Sequence, residues 1–201
     1  MIKKRTRAQT LRLYPEFPTS DYQKDLYHYP KRFGNYVLTL ASGSEKKYPS
    51  KLSESLNGLF DLLDLEEITF MADSNSLWLL QNSSSETFIN STSYFESLFN
   101  SNVFRGSITV SNVDQKEFIF HLIIITRFCA SLPVIYFIDA KANILGNICR
   151  YGNVHLDVIN KNFVNLFEAG LIESDFSLIE NKQCEERFSG SDNIIGRELL
   201  V

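Results

Sequence analysis

Apolar residues recur at every third or fourth position over residues 50–63, at Leu52, Leu56, Leu59, Phe60, Leu62 and Leu63, and this spacing predicts an amphipathic helix. A second stretch, 118–132, is apolar nearly all round and follows Asp114 and Glu117 at capping-box spacing, which predicts a helix buried at the centre of the fold and ended by Pro133. Beyond it the period changes. Segments 134–138, 144–150 and 154–159 are rich in β-branched and aromatic residues, and the short breaks 139–143 and 151–153 between them predict a three-stranded meander.

Weaker signals fill in the rest. Tyr36 to Leu40, closed by Ser42, Gly43 and Ser44, reads as a strand, and 104–111 as another. Segments 68–71 and 77–80 flank Asp73, Ser74, Asn75 and Ser76, whose short side chains favour tight turns, so a hairpin is predicted with Trp78 on its second strand. Ser93 and Glu96 carry capping-box spacing ahead of Leu98 and Phe99 and predict a short helix; Thr19 or Ser20 offers a cap for another over 19–33. Asn160 or Asn162 predicts a last helix bearing Phe163, Val164, Leu166 and Phe167, with Gly170 as its stop. The fold class expected from these elements is α+β: a mostly antiparallel sheet on a buried central helix with flanking helices. One domain over 1–201 is expected, since no Pro- or Gly-rich linker divides the chain, with 1–18 as an extended arm and 180–193 as a loose loop or tail.

Composition narrows the class. At 201 residues, 44% hydrophobic and 22% charged, the chain has enough apolar surface to fold and too little to live in a bilayer. The most hydrophobic window, 118–138, is interrupted by His121, Arg127 and Pro133, so no membrane span and no membrane partner is expected. Cys129, Cys149 and Cys184 are odd in number and lack CxxC or Cys/His ligand spacing, which argues against a disulfide framework and a structural zinc site. A reducing compartment follows, and with no secretory h-region after the basic start the expected location is cytoplasmic.

Charge is uneven along the chain. Residues 1–50 hold ten Lys/Arg and four Asp/Glu, a balance of +6, whereas 51–201 hold ten and twenty, a balance of −10. The densest acidic pieces are Asp61, Asp64, Glu66 and Glu67, then Glu173, Asp175, Glu185 and Glu186. Gathered on one surface, these eight carboxylates would attract a basic partner over about a Debye length, roughly 8–10 Å. The leader, with Lys3, Lys4, Arg5 and Arg7 close to several tyrosines, is the one place where nucleic acid could be held.

No GxGxxG, GxxxxGK[ST], GxSxG or HExxH occurs. His28, His121 and His155 are widely separated; His121 lies one turn after Glu117, a spacing that suits a structural hydrogen bond, and the dyads Cys129/His121 and Cys149/His155 follow runs of buried-type residues. Asp139 and Lys141 share the spacing with which PD-(D/E)xK nucleases hold Mg²⁺, but they fall where the turn is expected and lack an upstream acid. The small size, missing catalytic motifs and acidic excess are similar to toxin-neutralising immunity proteins, whose carboxylates cover a nuclease's cationic groove. That resemblance implies a non-enzymatic binding protein of the bacterial cytoplasm, with no cofactor or metal and with a basic protein such as a nuclease toxin as partner. The alternatives are a metal-dependent nuclease using Asp139 and Lys141, and a regulatory or nucleic-acid-binding module led by Lys3, Lys4, Arg5 and Arg7.

Overall fold

A computed structural model describes residues 1–21, 26–44, 46–79, 85–100, 103–129, 131–180, 184 and 186–188. The chain runs β1 (Ile2–Arg5), α1 (Arg7–Leu13), β2 (Thr19–Asp21), β3 (Leu26–His28), β4 (Gly34–Thr39), α2 (Tyr48–Leu62), β5 (Glu67–Ala72) and α3 (Glu86–Phe99). It continues β6 (Ser107–Ser111), α4 (Asn112–Phe128), β7 (Ile135–Asp139), β8 (Ile144–Ile148), β9 (Val154–Val158), α5 (Val164–Glu173) and β10 (Ser177–Leu178). The fold is α+β, as the sequence implies. Eight strands form one antiparallel sheet in the order β1-β6-β5-β7-β8-β9-β4-β10, and β2 and β3 pair separately.

Alternation along the strands gives the sheet two different faces. One carries Ile68, Phe70, Ile108, Val110, Phe137, Ile144, Val154, Leu156 and Leu38, all buried. Against it lies α4, flanked by α2 and α3, with α5 packed on α2. Phe118 of α4 meets Phe70 at 4.7 Å between ring centroids, and Phe60 of α2 meets Phe137 at 5.5 Å, so the layers are joined by tilted and edge-on rings. This is the main core, and α4 fills its centre as its all-round apolarity predicts.

The other face mixes Thr69, Thr109, Ser107, Asn147, His155 and Asp157 with Met71, Ile138 and Leu145. Residues 1–33 cover part of it: Phe17 packs in a second, smaller core with Met71, Ile138 and Leu145, and Thr10 of α1 bonds Ser107. The leader is therefore built into the fold rather than extended from it. β1 pairs with β6 in full register, and α1 opens on a complete capping box between Thr6 and Gln9.

Several sequence expectations change. Residues 19–33 hold the β2–β3 pair in place of a helix, in keeping with the poor helix propensity of Tyr27 and Tyr29 and the block at Pro30; residues 22–25 lie outside the description. β5 pairs with β6 and β7, so the hairpin expected across Asp73 to Ser76 does not form. The chain beyond it carries Trp78 into the core against Phe95, Phe99 and Phe104. α3 begins at Glu86, placing Ser93 and Glu96 in its middle, and α4 begins at Asn112 with Ser111 as its cap and Asp114 in its first turn. Gly170 does not stop α5. It lies inside the helix, where a Cβ would come within 2.8 Å of Leu63, and so lets α5 approach α2 closely. Part of the segment expected as a loose tail over 180–193 also makes defined contacts: Arg187 exchanges backbone bonds with Gly43 and Tyr151, and Phe188 is buried against Tyr48, while β10, which precedes it, pairs with β4.

The meander matches its prediction, and Asp139 explains its first turn. Its Oδ1 accepts from the backbone N–H groups of Asn143 (2.6 Å) and Ile144 (2.9 Å), and its Oδ2 from Lys141 N–H (3.1 Å) and Asn143 Nδ2 (2.9 Å). Replacing Asp139 with Ala strands those buried donors and should lower the unfolding free energy by about 3 kcal/mol in a urea titration. Lys141→Ala, at an exposed position, should leave it within about 0.5 kcal/mol.

Candidate functional site

The helices and the amino-terminal segment differ in charge. The helices and the connections leaving α2 and α5, residues 48–66, 86–99, 112–128 and 161–175, hold four Lys/Arg and eleven Asp/Glu, a net −7, all on the apolar side of the sheet. The opposite side is covered by the leader with Lys3, Arg5, Arg7, Arg12, Lys31 and Arg32.

Of the eight acidic candidates, five are exposed on the helices or on the connections that leave them. Asp61 ends the exposed ridge of α2 and accepts from Asn57 (3.0 Å) and from Asn112 of α4 (2.6 Å). Asp64 and Glu66 are exposed in the connection that follows; Asp64 takes a left-handed φ of 56° at the end of the helix. Glu173 and Asp175 are exposed at the end of α5, and Asp175 accepts from Ser55 of α2 at 3.1 Å, which fixes it beside the same ridge. The other three differ. Glu67 sits on β5 and is paired with Lys3, Glu186 is paired with the buried Arg127, and Glu185 lies outside the described residues. Among the five are large exposed apolar side chains: Leu62 (44% exposed), Val113 (84%) and Ile172 (86%), each adjacent in sequence to an acid or to the Asn112 that bonds one.

The basic candidates are partly committed to structure. Arg7 donates to the carbonyls of Ala72, Asp73 and Ser74, closing the end of β5, and Arg5 bonds Thr109 across the sheet. Burial lowers the pKa of the Arg7 guanidinium, with Asp73 opposing the shift. Lys4 is exposed, and with Arg5, Arg7 and Arg105 it borders a groove of about 860 Å³ whose floor includes Leu11, Val103 and Phe104.

Asp139 and Lys141 form no metal site: the carboxylate is filled by turn donors, and the lysine contributes its backbone N–H to that turn. His121 is structural, but its partner is Ser91 of α3 (3.0 Å) in place of Glu117, and its ring stacks on Tyr94 at 4.1 Å. Tyr29 and Tyr136, both pushed upward first by burial, and Asn35 surround Asp157, which accepts from Tyr29 (2.5 Å) and Asn35 (2.6 Å).

Sequence spacing did not reveal that Cys149, His155 and Cys184 converge. Cys149 follows β8, His155 stands on β9, and Cys184 arrives from the C-terminal segment; Cys184 Sγ lies 3.0 Å from His155 Nε2 and 3.8 Å from Cys149 Sγ. Burial pushes the Cys149 thiol up, but hydrogen bonding to His155 and to the backbone at Asn153 and Tyr151 outweighs it and brings the group below its ordinary value. Cys184 is pushed up, by burial and by Cys149 beside it.

Comparison with family models, curated proteins and solved structures finds no match for this chain. Among the described residues, no helix is long and apolar enough to cross a membrane.

The half-buried imidazole of His121 gives a pH signature with a definite sign. Burial holds His121 below its ordinary 6.5 against the pull of Glu117, so the unfolded chain binds more protons than the folded one. The stability His121 confers is complete above pH 6.5 and is lost as the pH falls below it toward the lowered value. His121→Gln should therefore shrink the difference between urea midpoints measured at pH 7.5 and pH 5.5; an unchanged difference removes His121 from the acid response.

Proposed function

We propose that the protein is a non-enzymatic binding protein of the immunity type, which occludes a basic partner such as a nuclease toxin with its acidic helical layer. The observation that carries this reading is the exposure of Asp61, Asp64, Glu66, Glu173 and Asp175 at or just beyond the ends of α2 and α5, with exposed Leu62 and Ile172 on those two helices and exposed Val113 on α4. An interface works through a few apolar anchors that lose water, ringed by charges that steer the partner and reject wrong ones. Carboxylates tied to neutral Asn and Ser donors keep their charge, so Asp61 and Asp175 are oriented without being neutralised. Glu67 and Glu186, held by Lys3 and Arg127, drop out of the contact set.

Association with a panel of basic nuclease toxins, followed by surface plasmon resonance, should be fast at low salt and slow by about tenfold or more at physiological ionic strength. Charge reversal at Asp61, Asp64 and Glu66 together should slow association, whereas Leu62→Ala with Ile172→Ala should mainly speed dissociation. No toxin bound at low salt, or binding indifferent to both sets of changes, removes the proposal.

One observation favours a second reading, binding of a nucleic acid or another polyanion: Lys4 and Arg105 line the same groove, together with Leu11, Val103 and Phe104. Deleting residues 1–12 cannot test it, because that removes β1 and α1. Lys4→Glu with Arg105→Glu should instead abolish retention of single-stranded oligonucleotides at low salt and reduce the salt slope by about 1 to 2; retention unaffected by the pair rejects this reading.

A further inference from the structure

The C-terminal segment crosses the end of the β8–β9 hairpin and is anchored there on both sides. Arg187 accepts from Gly43 N–H at 3.0 Å and donates its own N–H to the Tyr151 carbonyl at 3.0 Å, Glu186 pairs with Arg127 at 2.9 Å, and Phe188 packs on Tyr48 at 4.9 Å. The hairpin beneath is equally constrained. Cys149 N–H donates to the Asn153 carbonyl (2.9 Å) and Gly152 N–H to the Cys149 carbonyl (3.0 Å), closing a tight turn in which Gly152 holds a left-handed φ of 83°. Two parts of the chain, 29 residues apart between His155 and Cys184, thus present three metal-ligating atoms to one point.

Their separations match a metal of known preference. On tetrahedral zinc, with Zn–S about 2.3 Å and Zn–N about 2.0–2.1 Å, two sulfurs stand roughly 3.8 Å apart and a sulfur and a nitrogen roughly 3.5 Å. Cys149 Sγ and Cys184 Sγ are 3.8 Å apart, Cys184 Sγ and His155 Nε2 are 3.0 Å apart, and all three ligand atoms lie within 4.8 Å of one another. An ion would replace the thiol–imidazole contact with a widening of about half an ångström. Asn153 Nδ2 donates toward Cys149 Sγ at 3.8 Å, a contact that supports a thiolate. With two sulfurs, one imidazole and no carboxylate, the set suits a thiophilic cation and not Mg²⁺ or Ca²⁺.

We infer that Cys149, His155 and Cys184 bind a thiophilic divalent cation, Zn²⁺ by preference, through three protein ligands. Because the ligands are only half-buried, a fourth position stays open to water. Binding displaces thiol protons into solvent as the two Zn–S bonds form, and it clamps the C-terminal segment to the hairpin. The site lies on other elements than the acidic helical layer, so metal loading and toxin binding are read independently and the failure of one leaves the other standing.

The test uses the full chain, reduced and freed of metal. Titration with Co²⁺ should give thiolate-to-metal charge-transfer absorption and tetrahedral visible bands that saturate at one ion per chain, and one equivalent of Zn²⁺ should bleach them. Cys184→Ser and His155→Ala should each weaken binding by at least about 100-fold, more than the loss of a residue that merely supports a ligand, whereas Cys129→Ser should bind like the parent. In the unaltered protein, which avoids any question of variant folding, Zn²⁺ should protect Cys149 and Cys184 from iodoacetamide, as read by mass spectrometry, but not Cys129. Absence of the charge-transfer band, its survival in Cys184→Ser, equal protection of all three cysteines, or a protein that forms a Cys149–Cys184 disulfide and after reduction takes up no Co²⁺, overturns the inference.

Discussion

A β-sheet covered on both sides has to satisfy two neighbours with one alternating sequence, and here the two neighbours differ in kind. Even-numbered β5 positions Ile68, Phe70 and Ala72 meet the helices, while Thr69 and Met71 meet the leader. The same division runs across the sheet through Phe137 and Ile138 and through Leu156 and Asp157. The helical side is dry and aromatic, so it can be closed only by apolar helix faces, and charged residues on those helices are driven outward. The leader's side is mixed: Phe17 closes its apolar patch of Met71, Ile138 and Leu145, but its threonines, Asp157 and the open carbonyls at the end of β5 need residues that donate hydrogen bonds. Arg5, Arg7 and Tyr29 do this, and Asn35 of β4 completes the partners of Asp157.

The elements that the sequence made legible are those whose signal is local. The meander rests on β-branched runs and an Asp139 turn whose donors all lie within five residues, and α4 on an apolar stretch too long for a strand. The misreadings share a different cause. At Asp73 to Ser76 the residues favour a turn and do form a bend, but Arg7, 66 residues away from Asp73, caps those carbonyls, and β7 takes the place beside β5 that a hairpin partner would have filled. Ser93 and Glu96 carry capping-box spacing, yet Phe88 and Ser91 upstream of them are buried, and their packing carries α3 through to Glu86. Gly170 reads as a helix stop until Leu63 of another helix is known to need its missing side chain. In each case a tertiary contact overrides a sound local preference.

The candidate sites follow the same rule. Acid-rich stretches were visible as composition, but composition could not say that Lys3 would neutralise Glu67 across the sheet, or that Ser55 would hold Asp175 against α2. Of the cysteine cluster, the sequence pairs Cys149 with His155 across a short turn, but it carries no spacing signal for Cys184, which returns to them from beyond α5. The residues that deliver Cys184 are ordinary ones: the backbone of Arg187, the ring of Phe188 and the Glu186 that composition had marked for a partner.

A physical distinction separates charges that a fold requires from charges that it tolerates. Arg7 and Asp139 satisfy buried groups, and Arg127, almost wholly buried, meets Glu186 and the Arg150 carbonyl; removing any of them leaves polar atoms stranded. Asp64, Glu66 and Glu173 do nothing of the kind. They are exposed, and their neighbours include apolar side chains as accessible as Ile172, which gain nothing from being where they are in the isolated chain. An exposed isoleucine beside exposed carboxylates is a poor solution to the problem of solubility alone, since the first promotes association and the second opposes it. Under the function proposed above it suits association with a cationic surface, because the carboxylates attract cationic partners and repel anionic ones while the isoleucine supplies apolar contact.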